Sequence, residues 1–136
     1  WNATRFVLAQ IEKSKIPARN ASHSDAGGKN QKSKLQPKDK KILAELKKIK
    51  KEVNQKIEKY QFGHALHILR GFFWHNFCDK YLEESKKNLN AEVLLAVLAD
   101  SLKLLHPFMP FITEKIWEEL PLENKNLLMI ETWPQP

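Results

Sequence analysis

Three histidines and the single cysteine lie close together in the sequence, where they could bind a metal ion. His64 and His67 are three residues apart, as are His75 and Cys78. An α-helix rises about 1.5 Å per residue, which places His64 and His75 about 16 Å apart along one axis. They cannot then share an ion at the ~2 Å ligand distances that zinc requires. We therefore expect no metal site here, and we predict partly buried histidines that pack beside neighbouring phenylalanines.

The acidic residues and the cysteine show no pattern typical of an active site. In the adjacent pairs Glu83–Glu84 and Glu118–Glu119, neighbouring side chains point about 100° apart on a helix, so neither pair converges on a substrate. The sequence also lacks the G-x-S-x-G and Walker patterns. Cys78 lies among aromatic residues, which favours a buried small hydrophobic residue over a reactive thiol. We therefore expect no catalytic residue and no cofactor in this chain.

Asn2 and Arg5 offer a different chemistry, that of base recognition. They are three residues apart and share one face of a predicted first helix, which Ala9 and Glu12 continue. Arg and Asn can both form hydrogen bonds with base edges, while neighbouring lysines neutralise phosphates. Unpaired bases in RNA loops are the usual target of such recognition. This face is therefore a candidate RNA-binding surface.

Positive charge is concentrated in the first part of the chain. Up to Gln61 there are 16 Lys and Arg residues against 6 Asp and Glu, a net charge of +10. The remainder has 7 against 10, a net charge of −3. A localised positive field suggests a polyanionic partner such as RNA, DNA or an anionic membrane surface. The alternative is a lysine-rich helix face that serves only solubility.

Length and composition exclude several classes of protein. The chain has 136 residues, of which 42% are hydrophobic and 29% charged, a balance typical of one globular domain with its own core. No apolar run approaches the ~18 residues of a membrane-spanning helix, and the N-terminus does not resemble a signal peptide. A single cysteine cannot form an internal disulfide. These features favour a reduced, cytoplasmic setting.

Apolar periodicity predicts an all-α fold. Ile42, Leu46, Ile49 and Val53 are spaced by three and four residues, which is typical of one buried helix face. We predict a bundle of four to five helices with mostly up-and-down packing, in which the fourth helix is central. The predicted helices cover residues 1–13, 37–60, 62–87, 93–105 and 112–120. The start at Trp1, without a methionine, leads us to expect a segment of a longer chain.

The segment 14–37 interrupts this helical pattern. It contains Pro17, Gly27 and Gly28 together with many Ser, Asn and Lys residues, and it has few apolar residues. We predict a long, flexible, basic loop after the first helix. Loops of this length in compact domains are usually functional or mobile, although an insertion without a role is the alternative.

Four motifs in this order identify a family resemblance: WNATRFVL, WHNFCDKYLEESK, LLHPFMPFITEKIWEEL and MIETWP. Together they resemble the anticodon-binding domain of valyl-tRNA synthetases, which are class I aminoacyl-tRNA synthetases. LLHPFMPFITEKIW is shared by the valine, isoleucine and leucine enzymes, whereas WNATRFVL and NFCDKYLE are most similar to the valine family. The resemblance spans nearly the whole chain and weakens only from about residue 14 to residue 35.

The resemblance implies that residues 1–136 form one tRNA-binding domain. The parent enzyme would join valine to its tRNA using ATP, with catalytic and editing domains before this segment and a coiled-coil arm after it. Motifs of the H-I-G-H and K-M-S-K-S type are absent from the sequence. We therefore expect no ATP site in this chain itself. The helical bundle would grip the anticodon stem-loop of valine tRNA and help to read its anticodon.

The resemblance also implies which residues contact tRNA. Asn2 and Arg5 match the family motif and would form hydrogen bonds with unstacked anticodon bases. Basic residues just after the first helix carry over as Lys13, Lys15 and Arg19, although the sequence departs from the family pattern there. Trp1 and Phe6 are candidates to stack on a base, but the spacing of Phe6 favours the core. The lysines expected to contact phosphates, with salt-sensitive affinity, are Lys13, Lys15, Lys34, Lys38 and Lys41.

Three alternatives remain open at this point. The first is the equivalent domain of an isoleucyl- or leucyl-tRNA synthetase, which would prefer another anticodon. The second is a basic helical module that binds protein rather than RNA. The third is a membrane-surface helix over residues 38–59, whose apolar stripe lacks Phe and Trp and is needed for packing, so that we expect no membrane partner.

Overall fold

The helical bundle predicted from the sequence is present in the structure, a computed structural model. It describes residues 2–14, 19–20, 35–85, 90–123 and 125–136. Within these ranges there are five helices. They are α1 (Asn2–Ser14), α2 (Pro37–Glu58), α3 (Phe62–Gly71, continued by a π-helical stretch Phe72–Leu82 and by Glu83–Ser85), α4 (Ala91–Leu105) and α5 (Pro110–Glu119). The all-α prediction is therefore confirmed.

Local sequence explains where α2 begins and ends. Pro37 lies in its first turn, as predicted, because proline lacks the N–H that a helix start leaves unbonded. Gln36 and Asp39 form a capping box, in which the Asp39 carboxylate accepts a hydrogen bond from the Gln36 N–H at 3.0 Å. At the other end, Tyr60 adopts a left-handed φ of 55° and turns the chain into α3. Thus α2 and α3 pack together as a hairpin.

The middle of α3 is wound more loosely than the sequence predicted. Residues Phe72–Leu82 form a π-helix, whose i→i+5 hydrogen bonds are rare over more than one turn. Its buried side chains are Phe72, Phe77, Tyr81 and Leu82. The segment predicted as one helix over 62–87 is therefore helical as far as Ser85, but its middle part is a π-helix rather than an α-helix.

The central position predicted for α4 is confirmed. Asn90 caps this helix, because its side chain accepts a hydrogen bond from the Val93 N–H at 3.3 Å. Ten of its residues are buried, and it packs against each of the other four helices. An α-helix that is apolar on most sides is stable only when neighbours surround it, which makes α4 the core of the bundle.

The C-terminal part contains short elements besides the helices. Leu128–Ile130 forms a 3-10 turn. Two short strands pair in parallel, Arg19–Asn20 with Leu122–Glu123. The first strand belongs to the segment 14–37, of which residues 15–18 and 21–34 lie outside the described structure. No helix in the described part is long and apolar enough to cross a membrane.

Candidate nucleic-acid interface

The predicted polar face of α1 is exposed. Asn2 and Arg5 are both exposed, and so are Ala9 and Glu12, which continue the same face. Val7, on the opposite face, is completely buried against the core. Since α1 packs on the central α4, the backbone that carries Asn2 and Arg5 is held by buried contacts while their side chains remain accessible. This arrangement suits base recognition, which requires donors and acceptors on a rigid support.

Lys38 and Lys41 lie along a cleft between α2 and α3. Lys80 of the π-helical stretch also lines this cleft, together with Glu45 and Glu84. Lys38 is partly buried, and its Nζ donates to the backbone carbonyl of Glu84 at 3.0 Å. Lys41 and Lys80 are exposed. The predicted phosphate contacts on α2 therefore belong to a surface shared by two helices.

The start of α2 is held by a buried carboxylate. Asp39 is fully buried, and its Oδ1 accepts a hydrogen bond from the Tyr81 hydroxyl of α3 at 2.8 Å. Its Oδ2 accepts from the Gln36 N–H at 3.0 Å and from Asn90 Nδ2 at 3.3 Å. A buried carboxylate is tolerated only when partners replace the lost water. Asp39 therefore ties α2 to α3 and α4 immediately beside Lys38.

The other sequence-predicted contacts are described less completely. Lys13 belongs to α1, and Arg19 belongs to the first strand, where its Cα pairs with Leu122. Nothing beyond their backbone is described. Lys15, Lys34 and Trp1 lie outside the described residues. Phe6 is partly buried and packs against the core, as its spacing suggested.

Not every lysine of α2 belongs to the basic surface. Lys50 is 7% exposed, and its Nζ lies 2.5 Å from the Asp100 carboxylate of α4. Lys50 follows Leu46 by four residues, which places it on the inner face of α2. The many lysines in this segment made that position hard to recognise from the sequence. The exposed lysines of α2 and of the residue that follows it are Lys40, Lys41, Lys47, Lys48, Lys51 and Lys59.

The histidine prediction was wrong about burial. His64, His67 and His75 are all exposed, because Ala65 and Leu69 occupy the side of α3 that faces the core. The His75 Nδ1 lies 3.2 Å from the Asp79 carboxylate. Among the described residues, no group of three or more His, Cys, Asp or Glu side chains is placed to hold a metal ion.

Cys78 resembles the predicted small apolar residue more than a nucleophile. It is partly buried and packs against the core. Burial, and then the negative charge of Asp79, raise the pKa of its thiol to about 11. A thiol with this pKa is protonated at neutral pH, and only the thiolate is strongly nucleophilic.

The aromatic residues divide between core and surface. Phe72, Phe77 and Trp117 are buried. Trp133 packs half-buried against a second core cluster that includes Val53, Leu69 and Leu104. Trp74, by contrast, is 62% exposed and lies on the face of α3 that carries the exposed His67 and Arg70.

The chain is similar in sequence to a known family and to several known proteins. Residues 39–136 match the family described as the anticodon-binding domain of tRNA ligase. The valine–tRNA ligases of Thermotoga maritima and Carboxydothermus hydrogenoformans are 41% and 40% identical to the chain over 99% of its length. That of Bacillus cereus is 36% identical over 98%. The chain spans 15% of the length of these curated relatives.

The match to the family covers most of α2 and everything after it, and the relatives extend the similarity through α1 and its polar face. The chain belongs to the family of anticodon-binding domains of tRNA ligases.

Proposed function

We propose that this chain binds the anticodon stem-loop of valine tRNA and positions that tRNA for ATP-dependent valylation by a catalytic domain outside the chain. The observation that carries the proposal is the similarity of almost the whole chain to valine–tRNA ligases, including the exposed face of α1. The names of these relatives favour valine over the isoleucine and leucine alternatives. Catalytic and editing domains of the same polypeptide are the expected neighbours, and the cytoplasm is the expected location.

Base recognition is assigned to α1. Asn2 and Arg5 are exposed side by side on a helix whose other face is buried. The Asn amide can donate and accept hydrogen bonds at one base edge, while the Arg guanidinium presents several donors in a fixed plane. Bases that leave the stack of an RNA loop expose the edges that such groups bind.

Phosphate binding is assigned to the lysines and arginine that follow. On α2, Lys41 is exposed and Lys38 is held near it at the cleft with α3. Each phosphate that a cation neutralises releases counterions, so that affinity falls as salt concentration rises. The remaining proposed contacts are Lys13, Lys15, Arg19 and Lys34.

A salt titration with two RNA hairpins tests this function. One hairpin carries a valine anticodon loop, and the other has the same stem with the last two anticodon bases changed. We expect affinity that falls steeply with salt and that is higher for the valine hairpin. Fluorescence anisotropy of end-labelled RNA measures both properties on the 136-residue chain.

The possible results separate the competing functions. A steep salt dependence without preference would leave a domain that grips the RNA backbone and would contradict anticodon reading by this chain. Absence of binding to either hairpin would contradict the proposal and favour the basic protein-interaction module.

A further inference from the structure

One face of α3 carries a cation and a large aromatic side chain without a role in the fold. His67, Arg70 and Trp74 follow one another at spacings of three and four residues, so they share a face of the helix. All three are exposed, and Trp74 is 62% exposed. A single exposed apolar residue is normal on a protein surface, so the role of Trp74 has to be argued from the groups around it.

The hydrogen-bonding state of Trp74 sets it apart from the other described tryptophans. The Trp117 indole N–H donates to the Asn126 carbonyl at 2.9 Å, and that of Trp133 donates to Asn54 Oδ1 at 2.7 Å. Within the described part of the chain, neither Trp74 nor Arg70 forms a hydrogen bond or an ion pair through its side chain. Both groups are therefore available to a ligand.

The charge around this face favours a nucleic acid over an apolar protein surface. Residues 59–78 contain no Asp or Glu, while Lys59, His64, His67 and Arg70 are all exposed cationic or titratable groups. Aromatic side chains beside positive charge are the usual combination in proteins that bind single-stranded nucleic acids, because bases stack on the rings while cations follow the phosphates.

The backbone beneath Trp74 is firmly held. Phe72, two residues before it, is 3% exposed, and Phe77, three residues after it, is fully buried. Both anchors lie in the π-helical stretch that also carries Trp74. A ring presented by a fixed backbone loses little conformational entropy when a base stacks on it.

We propose that Trp74 stacks on an unpaired base of the bound RNA and that Arg70 contacts an adjacent phosphate, forming a second RNA-binding site on α3 apart from the α1 face. The proposal rests on the function proposed above.

Substitution of Trp74 tests the stacking contact. We expect Trp74→Ala to weaken binding of the valine hairpin by about 5- to 100-fold, the range for loss of one base–aromatic stack, and Trp74→Phe to retain most of the affinity. Phe111→Ala is the matched control, because Phe111 is 91% exposed on α5. Thermal unfolding of each variant verifies that the fold is intact.

Salt dependence separates Arg70 from Trp74. Loss of one phosphate contact on a single strand lowers the slope of log K against log salt by about 0.7. We expect this change for Arg70→Gln and no change for Trp74→Ala. Lys115→Gln is the control for charge, since Lys115 is an exposed cation of α5 that pairs with Glu118 at 2.9 Å.

A fluorescent base reports stacking directly. With 2-aminopurine placed at each loop position in turn, binding of the wild-type chain should quench at least one position through Trp74. Trp74→Ala should abolish that quenching, and Trp74→Phe should keep part of it. If Trp74→Ala, Trp74→Phe and Arg70→Gln all bind the hairpin with wild-type affinity, the second site on α3 is contradicted while the proposed function stands. Failure of the wild-type chain to bind the hairpin would overturn both this inference and the proposed function.

Discussion

Arg5 and Val7 are two residues apart on α1, yet one is exposed and the other is completely buried. Arg5 is therefore available to the RNA ligand proposed above, whereas Val7 belongs to the core. We expect substitution at position 5 to change recognition without removing buried apolar surface, and surface changes of this kind alter stability by less than about 0.5 kcal/mol.

Arg5→Ala is expected to weaken binding of the valine hairpin by about 1–3 kcal/mol, the usual effect of losing a base contact. Binding of the hairpin with the altered anticodon should change much less. Anisotropy titrations of both RNAs measure the difference. Equal weakening for the two hairpins would show that Arg5 contacts a phosphate instead of a base.

Cys78 provides a pH-dependent prediction. Its thiol pKa is raised to about 11 by burial and by Asp79, so the reactive thiolate forms only at strongly alkaline pH. The alkylation rate with iodoacetamide should stay low up to pH 9 and rise towards pH 11 in the folded chain. In the urea-unfolded chain the rise should come near pH 8.5, the ordinary thiol value. Coincident profiles for the two states would contradict a raised pKa.

At the scale of elements, the junction of α2, α3 and α4 depends on Asp39. Its carboxylate receives hydrogen bonds from the Tyr81 hydroxyl of α3 and from the Asn90 amide, which also caps α4. A second link, from Lys50 to Asp100, joins α2 to α4 further along. Each of these buried polar groups has exchanged its hydrogen bonds with water for hydrogen bonds with its partner. Removal of one partner therefore leaves the other group buried without a hydrogen bond.

Tyr81→Phe is expected to lower the free energy of unfolding by about 1.5–3 kcal/mol, because it removes a hydrogen bond to a buried carboxylate. Urea denaturation measures the change. Tyr60→Phe is the matched control, since Tyr60 is 82% exposed, and it should be nearly neutral. In a double-mutant cycle, Asp39→Asn should lower the free energy of unfolding by less in the Tyr81→Phe variant than in the wild-type chain. Strict additivity of the two changes would contradict direct coupling.

At the scale of the whole molecule, the C-terminal tail closes the bundle. Trp133 packs on the second core cluster and donates to Asn54 of α2, while Glu131 forms a mostly buried ion pair with Lys103 of α4 at 3.1 Å. Glu114 of α5 accepts hydrogen bonds from the Leu128 and Met129 N–H groups. The tail thus joins helices that are distant in the sequence.

Trp133→Ala is expected to reduce the free energy of unfolding by about 2–3 kcal/mol. This is less than the reduction expected for a fully buried tryptophan, because Trp133 is only half-buried. Trp74→Ala, at an exposed position, should have a small effect and serves as the control. Chemical denaturation of both variants provides the comparison. A stability loss in Trp74→Ala as large as that in Trp133→Ala would contradict these assignments.

Local patterns in the sequence were sufficient to predict the helices and the exposed face of α1. The three- and four-residue spacing of Ile42, Leu46, Ile49 and Val53 predicts α2, because a helix turns once in about 3.6 residues. Pro37 suits the first turn of α2 because it lacks an N–H, and Asn90 caps α4 through the nearby Val93 N–H. The motifs that resemble anticodon-binding domains are likewise contiguous, so the family could be recognised before any tertiary contact was known.

Only the tertiary structure decided which polar groups are buried and which aromatic groups are exposed. Lys50 and Asp39 are buried because their partners come from other helices, and periodicity along one helix carries no information about those partners. Trp74 is 62% exposed because no neighbouring helix of the described structure covers the face that it shares with His67 and Arg70. The sequence alone determined the helices, because helix formation depends on neighbouring residues. The burial of individual side chains required the tertiary structure, because it depends on how helices pack against one another.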